Sequence, residues 1–279
     1  MPELRSVAEG HFAERGIVWH RHAAHGLSSQ ACCLNFLMPL AHRPELLSSV
    51  IGSALGIEPP QMLPINRPPD EPPLYIDFEW TGSADYLDEW PKSGRATRGA
   101  NATSADAVVR FQDGAEVRTV LIEWKYTESY GAPLVERGNP TRRLRYTDKL
   151  FAPEGPIRAD ADVTLDDFFY EPLYQLVRQQ MLAWRMERAR EDGADRVTVL
   201  HLSPAGNRTL HRVTSPRLRE RGDDVFEVFR SLLAHPDDFT GTTIERAFRP
   251  VLTAGHADPA IVEWAAYLRR RYSYVNGTA

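Results

Sequence analysis

Ser104-Ala105-Asp106-Ala107-Val108-Val109-Arg110-Phe111 and Val120-Leu121-Ile122-Glu123-Trp124-Lys125-Tyr126 each read as a strand entering a core. Between them lies Gln112-Asp113-Gly114-Ala115, whose Asp-Gly pair is a strong hairpin signal. The two strands are expected to pair antiparallel, with Asp106 and Glu123 near the same open end. Side chains alternate along a strand, so Glu123 and Lys125 point to one side. Val120-Leu121-Ile122 is a continuous apolar run, the mark of a strand buried on both faces. Charges that end such a strand need a partner or a task. Two carboxylates can hold a hard divalent cation through oxygen ligands. A nearby lysine can orient or deprotonate a water on that metal, or stabilise charge on a phosphate. Acid, hairpin, then acid-x-Lys is a minimal set for metal-dependent phosphodiester hydrolysis. A bare Glu-x-Lys is common in a chain with 25% charged residues and reads as a solvated strand face. The apolar run and the turn give this one its weight.

Outward from the hairpin, Leu74 to Trp80 alternates like a strand and carries Glu79. Residues 91–103 read as a loop that runs into Asp106, which would bring Arg95 and Arg98 near it. Residues 44–55 read as a helix, with Pro44 in its first turn and Gly56 just beyond its end. Residues 27–40 read as another, capped by Ser28 or Ser29. Residues 1–26 show little periodicity and are expected to be a solvated segment. Its His20, His22 and His25 have no carboxylate or cysteine close by to complete a ligand set. Residues 57–73 form a proline-rich strap. Thr127 to Asp166 has no clear period and reads as a long loop. Phe168 to Glu191 is the clearest helix, Arg196 to Leu202 the last core strand, and residues 222–279 read as mainly helical.

The 279 residues suit one sizeable domain, and 42% hydrophobic content is ordinary for a globular protein. No apolar run approaches the ~20 residues of a membrane span, and no signal-peptide pattern opens the chain. The two cysteines, Cys32 and Cys33, are adjacent, which suits neither an ordinary disulfide nor a structural zinc site; a reducing cytoplasm is the simplest reading. A phosphate-binding Gly-x-x-x-x-Gly-Lys loop and a Gly-x-Ser-x-Gly elbow are both absent from the sequence. The net charge of −5 does not advertise a nucleic-acid binder, but basic clusters stand at 137–149, at 208–221 and at Arg269-Arg270-Arg271. A nuclease needs acids at its metal and bases on its rim, and this distribution fits that division as well as it fits an ordinary mixed surface.

Asp106, Glu123-Trp124-Lys125 and a helix carrying Tyr174-Gln175-Leu176 resemble the PD-(D/E)XK nuclease superfamily. More narrowly, 27–36, the strand with Asp106, and 174–180 resemble a family of uncharacterised restriction-endonuclease-like proteins from bacteria. Ala105 replaces the proline of the superfamily's name. The resemblance implies an α/β fold with an αβββαβ core: a mixed four-stranded sheet flanked by helices, with helical additions at both ends. It implies one domain over 1–279, with the core at about 43–202, an N-terminal helical extension at 1–42 and a C-terminal helical region at 222–279. It further implies that Asp106, Glu123 and the Trp124 carbonyl bind metal, and that Lys125 activates the attacking water. Gln175 and Gln179, four apart on one helix face, would support the site. A third acid is expected from Glu79, with Glu45 as runner-up.

The expectation is a Mg²⁺- or Mn²⁺-dependent nuclease acting on DNA, with RNA not excluded. A metal-bound water would attack the scissile phosphorus, leaving a 3′-hydroxyl and a 5′-phosphate. Arg98, Arg142, Arg143 and Arg145 would contact the phosphate backbone. No membrane role is expected, and a homodimer would match the need to cut two strands. The rival readings are a binding protein of this fold that has lost its chemistry, and an interaction protein whose acidic cluster is structural.

Overall fold

The computed structural model describes residues 2–65, 70–92, 94, 98, 102–130 and 133–277. In chain order the elements are α1 (Pro2–Arg15), α2 (Ser29–Leu37), α3 (Pro44–Leu55), β1 (Gln61–Leu63), β2 (Ile76–Trp80), β3 (Ala105–Asp113), β4 (Glu116–Trp124), α4 (Asn139–Leu150) and α5 (Leu173–Arg188). They continue with β5 (Arg196–Ser203), α6 (Pro216–Arg219), α7 (Val225–Leu232), β6 (Phe239–Thr243), α8 (Ile244–Thr253) and α9 (Pro259–Arg271). No helix among the described residues is long and apolar enough to cross a membrane.

The β3–β4 hairpin is the centre of the sheet. Asp113 pairs with Glu116 across Gly114-Ala115, and Gly114 sits at φ 60°. A primed two-residue turn requires that left-handed conformation at its first central position, and glycine adopts it without steric cost. β2 pairs antiparallel with the early part of β3, and β1 pairs with its later part. On the other side β4, β5 and β6 run parallel. The sheet is therefore mixed and flanked by helices on both faces, the α/β architecture expected for a restriction-endonuclease-like protein. Among the described residues it has six strands rather than four. β1 lies within the proline-rich strap of 57–73, and β6 falls in the region expected to be mainly helical.

Two cores sandwich the sheet. On one face Val109, Ile122, Trp124 and Leu202 pack under α1, α2, α3, α8 and α9. On the other, Val108, Leu121, Val197 and Val199 pack under α4, α5 and α7. Parallel strands buried on both faces explain the unbroken apolar runs. α3 has the predicted bounds, with Pro44 in its first turn and Gly56 at φ 70° as its C-cap.

The structure also corrects two readings of segments outside the sheet. The N-terminal segment is not a solvated tail: α1 buries Ala8, His11 and Phe12. His20, His22 and His25 are exposed, as expected. The stretch 127–166 is not one loop, because it contains α4, which begins with Pro140 near its N-terminus and buries only Tyr146 and Leu150. Its apolar stripe is only Tyr146 and Leu150, four apart, too few apolar residues to stand out in a mostly charged and polar segment.

Candidate active site

The hairpin register sets the geometry. Ala107 pairs with Ile122, so Asp106 and Glu123 face each other one position closer to the open end. Trp124 N–H donates to Asp106 Oδ2 at 2.7 Å. Lys125 Nζ lies 2.5 Å from Glu123 Oε1 and 3.9 Å from Asp106 Oδ2. Glu123 and Lys125 share the face covered by α5, while Trp124 between them enters the opposite core against Phe36 and Phe248. Ser29 Oγ donates to the Trp124 carbonyl at 3.0 Å, which ties the start of α2 to the strand end.

α5 closes the site from above. Gln179 Nε2 donates to Glu123 Oε2 at 2.8 Å and to the Ser104 carbonyl at 2.6 Å. Gln175 and Gln179 both line a cavity of about 200 Å³ with Asp106, Glu123 and Lys125. The amide oxygens of both glutamines are buried without a hydrogen-bond partner. Such acceptors need a donor, and the waters that a magnesium ion retains are donors of the right kind.

Glu79 falls between the pairs Phe78–Ala107 and Trp80–Ala105, opposite Asp106, with φ 49°. Its carboxylate accepts from Gln30 Nε2 at 2.7 Å and from Ser104 Oγ at 3.2 Å. Burial pushes the Asp106 carboxyl well above its ordinary range; Glu123 and Glu79 add to the rise and Lys125 opposes it. Burial also raises Glu79, with Glu123 contributing. Burial would lower Lys125, but Glu123 and Asp106 outweigh it and hold the ammonium well above its usual range. Glu45 is exposed in the first turn of α3 and does not line this cavity. Among the described residues no group of three or more His, Cys, Asp and Glu is poised as a closed ligand set. The donors near one another are two carboxylates and a backbone carbonyl, all hard oxygens, and they fit a small divalent cation that keeps part of its water.

Arg98 is turned inward. It donates to the carbonyls of Phe78 and Glu79 and pairs with Asp77 at 3.2 Å, while His11 Nε2 meets the same Asp77 oxygen at 2.9 Å. With its side chain 11% exposed, Arg98 braces the strand that carries Glu79 rather than facing solvent. Arg95 lies outside the described residues. Burial alone would raise Asp77, but the His11 hydrogen bond and the Arg98 charge hold its carboxyl down at about 2. A depressed carboxyl contributes stability above its unfolded value of 3.8 and loses it as pH falls towards 2. Asp77→Ala leaves the inward-turned Arg98 guanidinium without its carboxylate and His11 Nε2 without its hydrogen-bond partner, and should cost about 3–5 kcal/mol. Chemical denaturation at pH 7 measures this; a loss under about 1 kcal/mol would show that the network is dispensable.

α4 packs beside α5, and Arg142 lies over the rings of Phe169 and Tyr174. Arg142 also donates to Val135 O at 2.8 Å and to Asn139 Oδ1 at 2.6 Å. Arg143 makes a two-pronged pair with Asp166 at 2.8 and 2.6 Å, and Arg145 lies over the Tyr146 ring.

Three residues at the site were missed by sequence reasoning. Arg178 lines the same cavity and donates to Glu89 at 3.2 Å. It lies between Gln175 and Gln179 on one helical face, a spacing that could have found it. The buried Glu89 carboxylate also takes hydrogen bonds from Thr103 Oγ1 at 2.9 Å and Tyr146 OH at 2.5 Å. Glu171 accepts from Gln175 N at 3.2 Å, and burial pushes its carboxyl up to about 6. His201 pairs in register with Glu123, is fully buried, and leaves both ring nitrogens unbonded. Burial, aided by Lys125, drives the His201 imidazole well below its ordinary value, which keeps it neutral. Only the parallel register reveals it.

A family model described as a restriction endonuclease associating with ARP matches residues 1–273. Neither a curated protein nor a solved structure matches the chain.

Proposed function

Since the chain belongs to the family of restriction endonucleases associating with ARP, we propose that it is a divalent-metal-dependent nuclease that hydrolyses DNA. The observation that carries this reading is the convergence of Asp106, Glu123 and Lys125 at a small polar cavity. Asp106, Glu123 and the Trp124 carbonyl are the residues that would hold Mg²⁺ or Mn²⁺, with Glu79 behind them. A bound divalent cation lowers the pKa of its water and neutralises charge on the scissile phosphate.

The side chains divide the remaining work. Lys125 stays protonated between the two carboxylates, so it offers a positive hydrogen-bond donor to the phosphate or to the attacking water. Gln179 fixes the rotamer of Glu123 by gripping Oε2. Its own oxygen, with that of Gln175, is an acceptor for water in the cavity. Arg178 adds a second cation on the α5 side, where a phosphate would enter. The direct test is incubation with duplex DNA, single-stranded DNA and RNA in Mg²⁺ or Mn²⁺, with Asp106→Ala as control. Metal-dependent cleavage of DNA that vanishes in the control is the expected result; cleavage that persists in the control sinks the assignment.

α4 supplies a basic rim on the same side of the sheet, with Arg145 half-buried and Arg143 exposed but paired. Neutralising Arg142, Arg143 and Arg145 together should weaken duplex binding and flatten its salt dependence. Each phosphate that no longer meets an arginine lowers the slope of log K against log salt by about 0.9. An unchanged slope would identify α4 as a solvated face only.

A further inference from the structure

A second cavity, of about 640 Å³, is lined by Tyr130, Thr209, Arg212, Thr214, Arg219 and Asp223. Its volume lies within the range of about 300–1,000 Å³ that small-molecule sites occupy. Three connections tie it to the site. Tyr130 follows Lys125 by one short stretch of chain, and its partly buried phenol feels the charges of Lys125 and Glu123. Thr214 Oγ1 donates to the Glu171 carbonyl at 2.7 Å, at the start of the segment that leads into α5. Asn207 Nδ2 donates to the carbonyls of Tyr126 at 3.1 Å and Glu128 at 3.0 Å, fixing this wall to the chain after Lys125.

The chemistry of the lining is selective. Arg212 and Arg219 are exposed and make no ion pair among the described residues; Arg219 Nε donates to the Val213 carbonyl at 3.3 Å. Their neighbours in the same basic cluster are engaged elsewhere: Arg217 with Asp162 and Asp167, Arg221 with the carbonyls of Ala161 and Asp162. Two guanidiniums against one carboxylate favour an anion. An aromatic face favours a ring, since bases stack on it whatever their sequence. Two hydroxyls and the Asp223 carboxylate offer polar partners to a ring edge or a sugar. One ligand class combines these features, a nucleotide.

Resting on the nuclease reading, we propose that this cavity receives one unstacked nucleotide of the substrate strand, flanking the bond to be cut. Its base lies on Tyr130 and its phosphate meets Arg212 and Arg219. The site therefore grips a single-stranded or locally opened strand rather than an intact duplex alone.

The test uses the full chain and a short fluorescent single-stranded DNA in EDTA, so that it does not depend on metal chemistry. Anisotropy titrations across a salt series give affinity and slope. Tyr130→Leu should weaken binding at least tenfold at an unchanged slope, while Tyr130→Phe, which keeps the ring, should bind as the native chain does. The double variant Arg212→Ala/Arg219→Ala should weaken binding and lower the slope by about 1.4, two contacts at about 0.7 each for single strands. Melting curves verify that each variant is folded. Native affinity in both the Tyr130→Leu and the double variant, with Asp106-dependent cleavage intact, overturns this inference and leaves the nuclease reading standing. A native chain that neither binds nor cleaves nucleic acid overturns both. A free mononucleotide that binds as tightly as the oligonucleotide also overturns it, because the occupant is then not part of a strand.

Discussion

Replacing Lys125 with methionine is expected to abolish cleavage and to destabilise the metal-free protein at the same time. Lys125 is the cation that touches both Glu123 and Asp106, and it is almost fully buried. Without it, Glu123, Asp106 and Glu79 share a low-dielectric space in which the remaining cation, Arg178, is paired with Glu89. Removing one partner of a buried ion pair costs about 3–5 kcal/mol. In a chain of this size each kcal/mol moves the melting temperature by roughly 2–4 °C. Loss of a positioned proton donor should lower the cleavage rate by about 10²–10⁴-fold. Adding Mg²⁺ should restore part of the stability, because a cation that binds only the folded state must stabilise it, but none of the rate. Thermal melts in EDTA and in Mg²⁺, beside plasmid cleavage, measure all three. An unchanged melting temperature in EDTA would mean that the acids are not held by this lysine.

Asp106→Asn should abolish activity too, with the opposite effect on stability. Burial and two neighbouring carboxylates hold Asp106 well above its ordinary pKa. A carboxyl raised on folding contributes stability that is complete below its unfolded value and is lost as pH rises towards the folded one. At neutral pH Asp106 is therefore a burden on the metal-free fold. The amide keeps an oxygen for the Trp124 N–H and removes the charge. We expect a gain of about 1–2 kcal/mol near pH 7, the usual size when a functional strain is released. The variant's stability should also change less with pH between about 4 and 7, with Glu79 and Glu171 contributing to what remains. Melting temperatures of native and variant protein across this range decide the matter. A variant that melts lower than the native chain at pH 7 contradicts the raised pKa. Lys125→Met and Asp106→Asn then give equal losses of function with opposite signs in stability, which a simple unfolding defect cannot produce.

The chemistry was readable where it was local. The Asp-Gly turn placed Asp106 opposite Glu123, and strand alternation placed Lys125 beside Glu123, because both relations depend on neighbours in sequence. α3 was readable from Pro44 and Gly56. Gln179 could be placed on the correct face of α5 but not paired with Glu123, since that contact crosses the connection between strand and helix. Glu79 was a guess among acids until the β2–β3 register and its left-handed backbone set it opposite Asp106. His201 and Glu171 were invisible, as parallel register and a loop approach leave no periodic trace. β6 was missed because Phe239-Thr240-Gly241-Thr242-Thr243 has one fully buried residue and no alternation of strand type. Arg98 showed the opposite failure: an arginine in a polar loop looked like a phosphate contact, and the fold used it to neutralise a buried aspartate.

The mixed direction of the sheet also sets the order in which the site can assemble. The contact of Trp124 N–H with Asp106 spans 18 residues, that of Gln179 with Glu123 spans 56, and the Val117–Asp195 link beside the parallel β4–β5 pair spans 78. Chain closure over short separations is fast, and parallel pairing is slow because its loops must close before contacts reward it. The hairpin therefore gathers Asp106, Glu123 and Lys125 while water still surrounds them, and α5 arrives later to seal them in. Dehydrating that cluster falls within the late, slow part of folding. We therefore expect pH, and any divalent cation these acids hold, to change the refolding rate as well as the stability, which refolding across pH in EDTA and in Mg²⁺ would measure.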